Sequence, residues 1–121
     1  MSILDLCSAI PVTVSETSSL QEAARLMDEC CVGCLVVFST ANGKSAYVGM
    51  ITDRDIAVKA AAENKDMAST PVSELMTRGL LTIKETAPIL DALKQMEEHQ
   101  VRRLVVVDDR NFPVGLVSTD S

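Results

Sequence analysis

Short apolar runs and helical stripes alternate with polar turns along this chain. Residues 11–14 (PVTV) predict a short strand, followed by a polar turn at residues 15–19. Leu20, Ala23, Ala24, Met27 and Cys31 recur at helical spacing and predict a helix ending near Val32-Gly33. Ser19 is placed to cap it, with Glu22 three residues on completing a capping box. The run CLVVF at residues 34–38 predicts a buried strand. Residues 39–45 read as a loop with Asn42-Gly43 as its turn signal. A strand follows at residues 47–51, then a helix from Thr52 to about Asn64 and a polar linker at residues 65–69.

The pattern then starts again. Residues 71–77 parallel residues 2–8, within which residues 3–7 read as an apolar-flavoured segment of about one helical turn, and residues 80–83 predict a strand. Thr86 is placed to cap a helix over residues 89–99, with Pro88 at its first position. Strands follow at residues 104–107 and 114–117, joined by a turn at residues 108–113. A shift of 69 positions carries Thr13, Glu16, Thr17, Ala23, Met27, Glu29, Val32, Leu35, Val36 and Val37 onto Thr82, Glu85, Thr86, Ala92, Met96, Glu98, Val101, Leu104, Val105 and Val106 without a gap. The next loop is three residues shorter in the second half, so Gly49 maps to Gly115. The chain therefore reads as an α+β duplication, residues 1–69 and 70–121, each strand–helix–strand–strand–helix. The second copy stops before a counterpart of residues 56–64, which predicts exposed apolar sheet surface and favours association with another chain.

Composition narrows the function. Apolar residues make up 47% of the chain and aromatics 2%, so the core must be built from aliphatic side chains and methionine. A net charge of −6 and the scarcity of stacking rings argue against a nucleic-acid binder. No apolar run approaches a membrane span, and residues 1–5 do not resemble a signal peptide. Four cysteines in such a chain read as reduced thiols of a cytoplasmic protein. Cys31-x-x-Cys34, with Cys30 beside it, hints at metal or redox chemistry. A zinc site needs four ligands, however, and only Cys7 and His99 remain as candidates. His99 takes the place of Cys30 in the other copy, so the copies do not build a shared cluster. Small apolar packing is the preferred reading for the cysteines. His99 reads as the last turn of a helix, where a partly positive imidazole is favourable. No nucleophile–base set accompanies it, so the chain reads as a non-enzyme.

The stretch that organises both copies is residues 49–55, GMITDRD, a strand running straight into a helix, with GLVSTDS at residues 115–121 as its near-copy. The first N–H groups of such a helix are unpaired and attract anions. Thr52-x-x-Asp55 is also a plain capping box. Arg102 and Arg103 supply planar, permanently charged forks suited to phosphate. They also read as solvated, or as partners of Glu97, Glu98 or Asp108.

The duplicated element order, the Gly-apolar-apolar-Thr/Ser junction in each copy and HQVRRLVVVDD at residues 99–109 together resemble a tandem CBS-domain pair, or Bateman module. The resemblance covers almost the whole chain. It implies two repeats packed about a pseudo-two-fold axis, with adenosine nucleotides bound in clefts between them. It also implies a homodimer that regulates an unidentified protein. On the family's pattern, one cleft combines Met50, Thr52, Arg54 and Asp55 with Gly79, Leu80 and Leu81, and with Val101, Arg102 and Arg103. Asp55 would accept from ribose hydroxyls, the arginines would hold phosphate, and Met50, Leu80, Leu81 and Val101 would sandwich the base. AMP, ADP or ATP is the implied ligand, with S-adenosylmethionine or NAD as further options. The other cleft would combine Val12, Val32, Gly33 and Cys34 with Leu116, Ser118, Asp120 and Ser121. It lacks the arginines and carries Ser121 where the family has the ribose aspartate, so it is expected to be weak or empty. The alternative function is a dimerisation or docking module without a ligand.

Overall fold

The computed structural model describes Ile3 and residues 11–119. The turn expected over residues 3–7 lies, apart from Ile3, outside the described residues, as do Asp120 and Ser121. Contacts divide the chain into two compact units. One is Val12–Leu80; the other is built from Leu81 onward and takes in the leading segment, of which Ile3 is described.

The Val12–Leu80 unit holds a four-stranded sheet in the order β1-β2-β3-β4. These strands are β1 (Thr13–Ser15), β2 (Cys34–Ala41), β3 (Lys44–Thr52) and β4 (Thr77–Arg78). β1 runs parallel to β2, as the intervening helix α1 (Leu20–Cys30) requires; β2 and β3 form an antiparallel hairpin. The hairpin is longer than the apolar run predicts, because Ser39, Thr40 and Ala41 pair with Ala46, Ser45 and Lys44. These residues are polar or small and largely exposed, so their pairing leaves no hydrophobic signal. Asn42 and Gly43 both take positive φ (53° and 77°), the requirement of a tight two-residue turn.

The second unit repeats the plan with β5 (Thr82–Lys84), α3 (Ile89–His99), β6 (Arg103–Val107) and β7 (Pro113–Ser118), a three-stranded sheet in that strand order. The duplication extends to irregularities. A bulge falls between Val37 and Phe38 opposite Gly49, and again between Val106 and Val107 opposite Gly115. Both helices end in a non-glycine residue in left-handed conformation, Cys31 (φ 56°) and Gln100 (φ 53°). The N–H of Val32 then returns to the Met27 carbonyl, and that of Val101 to the Met96 carbonyl, each at 3.0 Å. This closes a Schellman motif in each copy.

The two cores use the same seven positions. Val14, Ala23, Met27, Leu35, Val37, Ile51 and Val72 line one; Ile83, Ala92, Met96, Leu104, Val106, Val117 and Ile3 line the other. Val72 and Ile3 correspond under the 69-residue shift, and both are fully buried. The segment leading each sequence repeat therefore supplies a core residue to the unit built on the other repeat's strands. Leu75 and Met76 join Val72 in the first core, and β4 extends that sheet. On the central strands Val36, Val105 and Val107 are buried as well, so these strands read as continuous apolar runs rather than alternating ones.

One local expectation holds and three change. Ser19 caps α1 by accepting from the Glu22 N–H at 3.1 Å, as expected. Thr86 does not cap α3: Pro88 itself is the N-cap residue, with extended ψ of 150° and no side-chain bond. Cys30 and Cys31 are exposed and Cys34 half-buried, not packed in the core. They follow the buried stripe Leu20–Ala23–Met27, at the point where the helix ends. The helix after β3 is not regular α-helix: Asp55–Lys59 is wound as a π-turn before Ala60–Ala62 (together α2). No described helix is long and apolar enough to cross a membrane.

Candidate functional site

The end of β3 delivers its residues to the start of α2 through a tightly packed corner. Gly49 lies against the Thr77 carbonyl of β4, where a Cβ would be driven well inside van der Waals contact. The register Gly49↔Arg78 and Met50↔Thr77 holds β4 there, which sets Gly79 and Leu80 directly beyond Met50's pairing partner strand. Gly79 has a φ of 79°, a conformation that disfavours any side chain at this exit.

Thr52 and Asp55 then lock the corner. Asp55 Oδ2 accepts from the Thr52 N–H at 2.9 Å, and Thr52 Oγ1 accepts from the Asp55 N–H at 3.1 Å. This is the reciprocal capping box. The carboxylate is 11% exposed, and its other oxygen, Oδ1, faces Lys59 Nζ at 3.3 Å, with Lys59 53% exposed. Lys59 is not singled out by the repeat or by the family pattern. Its i,i+4 spacing from Asp55 was nonetheless readable as a helical ion pair. Met50 and Thr52 are half-buried and Arg54 is exposed.

The residues before β6 are fixed in the same way as those before β2. The Gly33 carbonyl accepts from the Asp53 N–H at 2.9 Å, and the Arg102 carbonyl accepts from the Thr119 N–H at 3.0 Å. Arg103 pairs with Ser118 across the β6–β7 ladder. Leu81 is tied in through its carbonyl, which accepts from the Val105 N–H at 3.1 Å. Val101, Arg103 and Leu81 are half-buried and Arg102 is exposed. Of the ten residues the sequence singles out, Met50, Thr52, Arg54, Asp55, Gly79 and Leu80 thus belong to the Val12–Leu80 unit. Leu81, Val101, Arg102 and Arg103 belong to the other.

At the second expected cleft, Gly33 has little room: a Cβ there would meet Asp53 Oδ2 at 3.0 Å. Ser118 and Leu116 lie on β7, and the acid expected beyond them falls outside the described residues. Among the described residues no group of three or more His, Cys, Asp or Glu side chains is arranged to hold a metal ion.

Two similar units, each with a strand-to-helix or strand-end junction facing the turn before its central strand, define a tandem-repeat class of α+β module. The CBS domain family profile matches residues 3–61 and again 72–121, so the chain belongs to the CBS-domain family, as a CBS pair. It is 38% identical over 117 residues to the CBS domain-containing protein YhcV of Bacillus subtilis, covering 97% of this chain and 79% of that one. A homoserine O-acetyltransferase of Methanocorpusculum labreanum is 34% identical over the whole of this chain, which spans only 23% of that enzyme. Among solved structures, a CBS domain protein from Pyrobaculum aerophilum complexed with AMP superposes with a TM-score of 0.81 at 28% identity, over 98% of this chain and 87% of that one. The CBS pair of protein MJ0100, in complex with 5′-methylthioadenosine and S-adenosylmethionine, gives 0.78 at 32% identity over 99% and 90%. Hypoxic Response Protein I with two coordinated zinc ions gives 0.76 at 32% identity over 98% and 92%.

Proposed function

We propose that this CBS pair is a regulatory module that binds an adenosine nucleotide of the AMP, ADP or ATP type. The carrying observation is Asp55: a nearly buried carboxylate, held in place by the Thr52 backbone N–H, at the junction where β3 becomes α2. A carboxylate so fixed is a suitable acceptor for a ribose diol, as acidic residues are in other nucleotide folds. Met50, Thr52, Arg54, Gly79 and Leu80 accompany it. The ligand's phosphate falls to Arg102 and Arg103, and its base to the side chains of Met50, Leu80, Leu81 and Val101. Solved relatives in complex with AMP, or with 5′-methylthioadenosine and S-adenosylmethionine, support the adenosine moiety as the shared element.

The module acts by ligand-dependent conformation rather than by catalysis, and any regulatory effect requires unequal affinity for two states. Its site of action is the cytoplasm and its assembly a homodimer. Leu90 and Leu93, 74% and 48% exposed and one turn apart on α3, support self-association. The alternative, a ligand-free docking module, is supported by the same two leucines. Thermal shift of the purified chain with AMP, ADP, ATP, S-adenosylmethionine and NAD decides between them. The nucleotide reading expects a saturable rise in Tm with at least one, whereas no response to any member leaves the docking module.

A further inference from the structure

We infer that Lys59 is an affinity-setting residue that competes with the ligand's ribose for Asp55; the inference rests on the nucleotide reading above. Each oxygen of the Asp55 carboxylate already has a partner. Oδ2 accepts from the Thr52 N–H at 2.9 Å, and Oδ1 lies 3.3 Å from Lys59 Nζ. The two partners differ in kind. The Thr52 N–H is backbone at the end of β3 and part of a reciprocal lock, so it stays when a ligand arrives. Lys59 is a flexible side chain, half exposed, that can swing into water at little cost.

A ribose diol donates two parallel hydrogen bonds, one to each carboxylate oxygen. Each oxygen keeps a second lone pair beside its present partner, but only Oδ1 is also engaged by a charge, which draws on the acceptor strength a hydroxyl would use. Binding of the diol therefore displaces or weakens the Lys59 contact, and the free energy of that ion pair is subtracted from the affinity. An ion pair whose lysine is half exposed is worth a few tenths to about 1 kcal/mol, which corresponds to an affinity penalty of about two- to five-fold. Salt screens the ion pair but not a bond to a neutral hydroxyl. A neutral ligand should accordingly bind more tightly as ionic strength rises, the reverse of ordinary nucleotide binding.

The test uses 5′-methylthioadenosine, an uncharged ligand carrying both ribose hydroxyls, and 2′,3′-dideoxyadenosine, which lacks them, in calorimetric titrations of the full chain. Lys59→Met keeps most of the aliphatic stem and removes the charge. The variant should bind 5′-methylthioadenosine about two- to five-fold more tightly than the wild type. It should also lose the wild type's gain in affinity with salt, and show no change toward the dideoxy compound. Asp55→Asn is titrated alongside. If Asp55→Asn abolishes binding while Lys59→Met binds equally or more weakly, Lys59 does not compete and the inference is overturned with the nucleotide reading intact. If Asp55→Asn binds as the wild type does, the inference is overturned while nucleotide binding stands without Asp55 as its ribose acceptor; if the wild type binds none of AMP, ADP, ATP, S-adenosylmethionine, NAD and 5′-methylthioadenosine, both fall together.

Discussion

Thr52 and Asp55 hold each other through two reciprocal hydrogen bonds, 2.9 Å from the Thr52 N–H to the Asp55 carboxylate and 3.1 Å from the Asp55 N–H to the Thr52 hydroxyl. The same carboxylate is thus a structural cap and the proposed ribose acceptor, and the two roles separate by substitution. Asp55→Ala leaves the Thr52 N–H without its acceptor and should cost about 1–2 kcal/mol of stability. Asp55→Asn keeps an oxygen for that bond and loses only the pair with the half-exposed Lys59, so it should cost less than about 1 kcal/mol. Urea unfolding of both variants measures the difference.

Gly49 is required by its neighbour rather than by its own backbone. A Cβ there would collide with the Thr77 carbonyl, which belongs to paired backbone and cannot rotate aside. Gly49→Ala should destabilise the chain by roughly 2 kcal/mol, in the range of overpacking substitutions. Chemical denaturation gives the value, and loss of hydrogen-exchange protection at Arg78 would report separation of β4 from β3.

Val72 and Ile3 make the sequence repeat and the packed unit different objects. Val72 lies just past the repeat boundary expected at residues 69–70, yet it is fully buried in the core built on β1, α1, β2 and β3. Val72→Ala should cost roughly 2 kcal/mol, between the values for Ile→Val and Leu→Ala in a core. Ile3→Ala should cost as much or more, despite its position near the start of the chain. Thermal and urea unfolding of both variants test this; a change within about 0.5 kcal/mol, typical of surface sites, would contradict the assignment.

The repeat itself was legible because identities such as Met27/Met96 and Val37/Val106 sit on the buried faces that both units must fill. Ser19 and Asn42-Gly43 were legible because capping and tight turns demand particular side chains. What escaped had no side-chain signature. The polar end of the β2–β3 hairpin is held by backbone pairing, and Thr77–Arg78 is too short to show a period. The π-turn at Asp55–Lys59 is a matter of winding rather than composition. The packing of Ile3 and Val72 across the boundary of the sequence repeats is a long-range fact that local pattern does not carry. At the site, Asp55 and Thr52 stood out by spacing, whereas Lys59 lies outside both the repeat and the junction motif, and its place is given by its 3.3 Å distance to Oδ1.

Gln100 adopts a left-handed conformation at the end of α3 that costs a residue with a Cβ about 1–2 kcal/mol, part of which glycine recovers. Gln100→Gly should stabilise the chain by up to about 1 kcal/mol, and Cys31→Gly should do the same at the end of α1. A rise in the urea midpoint with unchanged slope is the expected result. A fall would mean that the side chain contributes more than its backbone strain removes.

Calorimetric titration of AMP into the wild type, Asp55→Asn and Arg102→Ala addresses the binding claim without intermediaries. The expected result is saturable binding by the wild type, weakened about ten-fold or more by either substitution, the scale of a lost hydrogen bond to a charged group. Asp55→Asn and Arg102→Ala both binding AMP with wild-type affinity would contradict it.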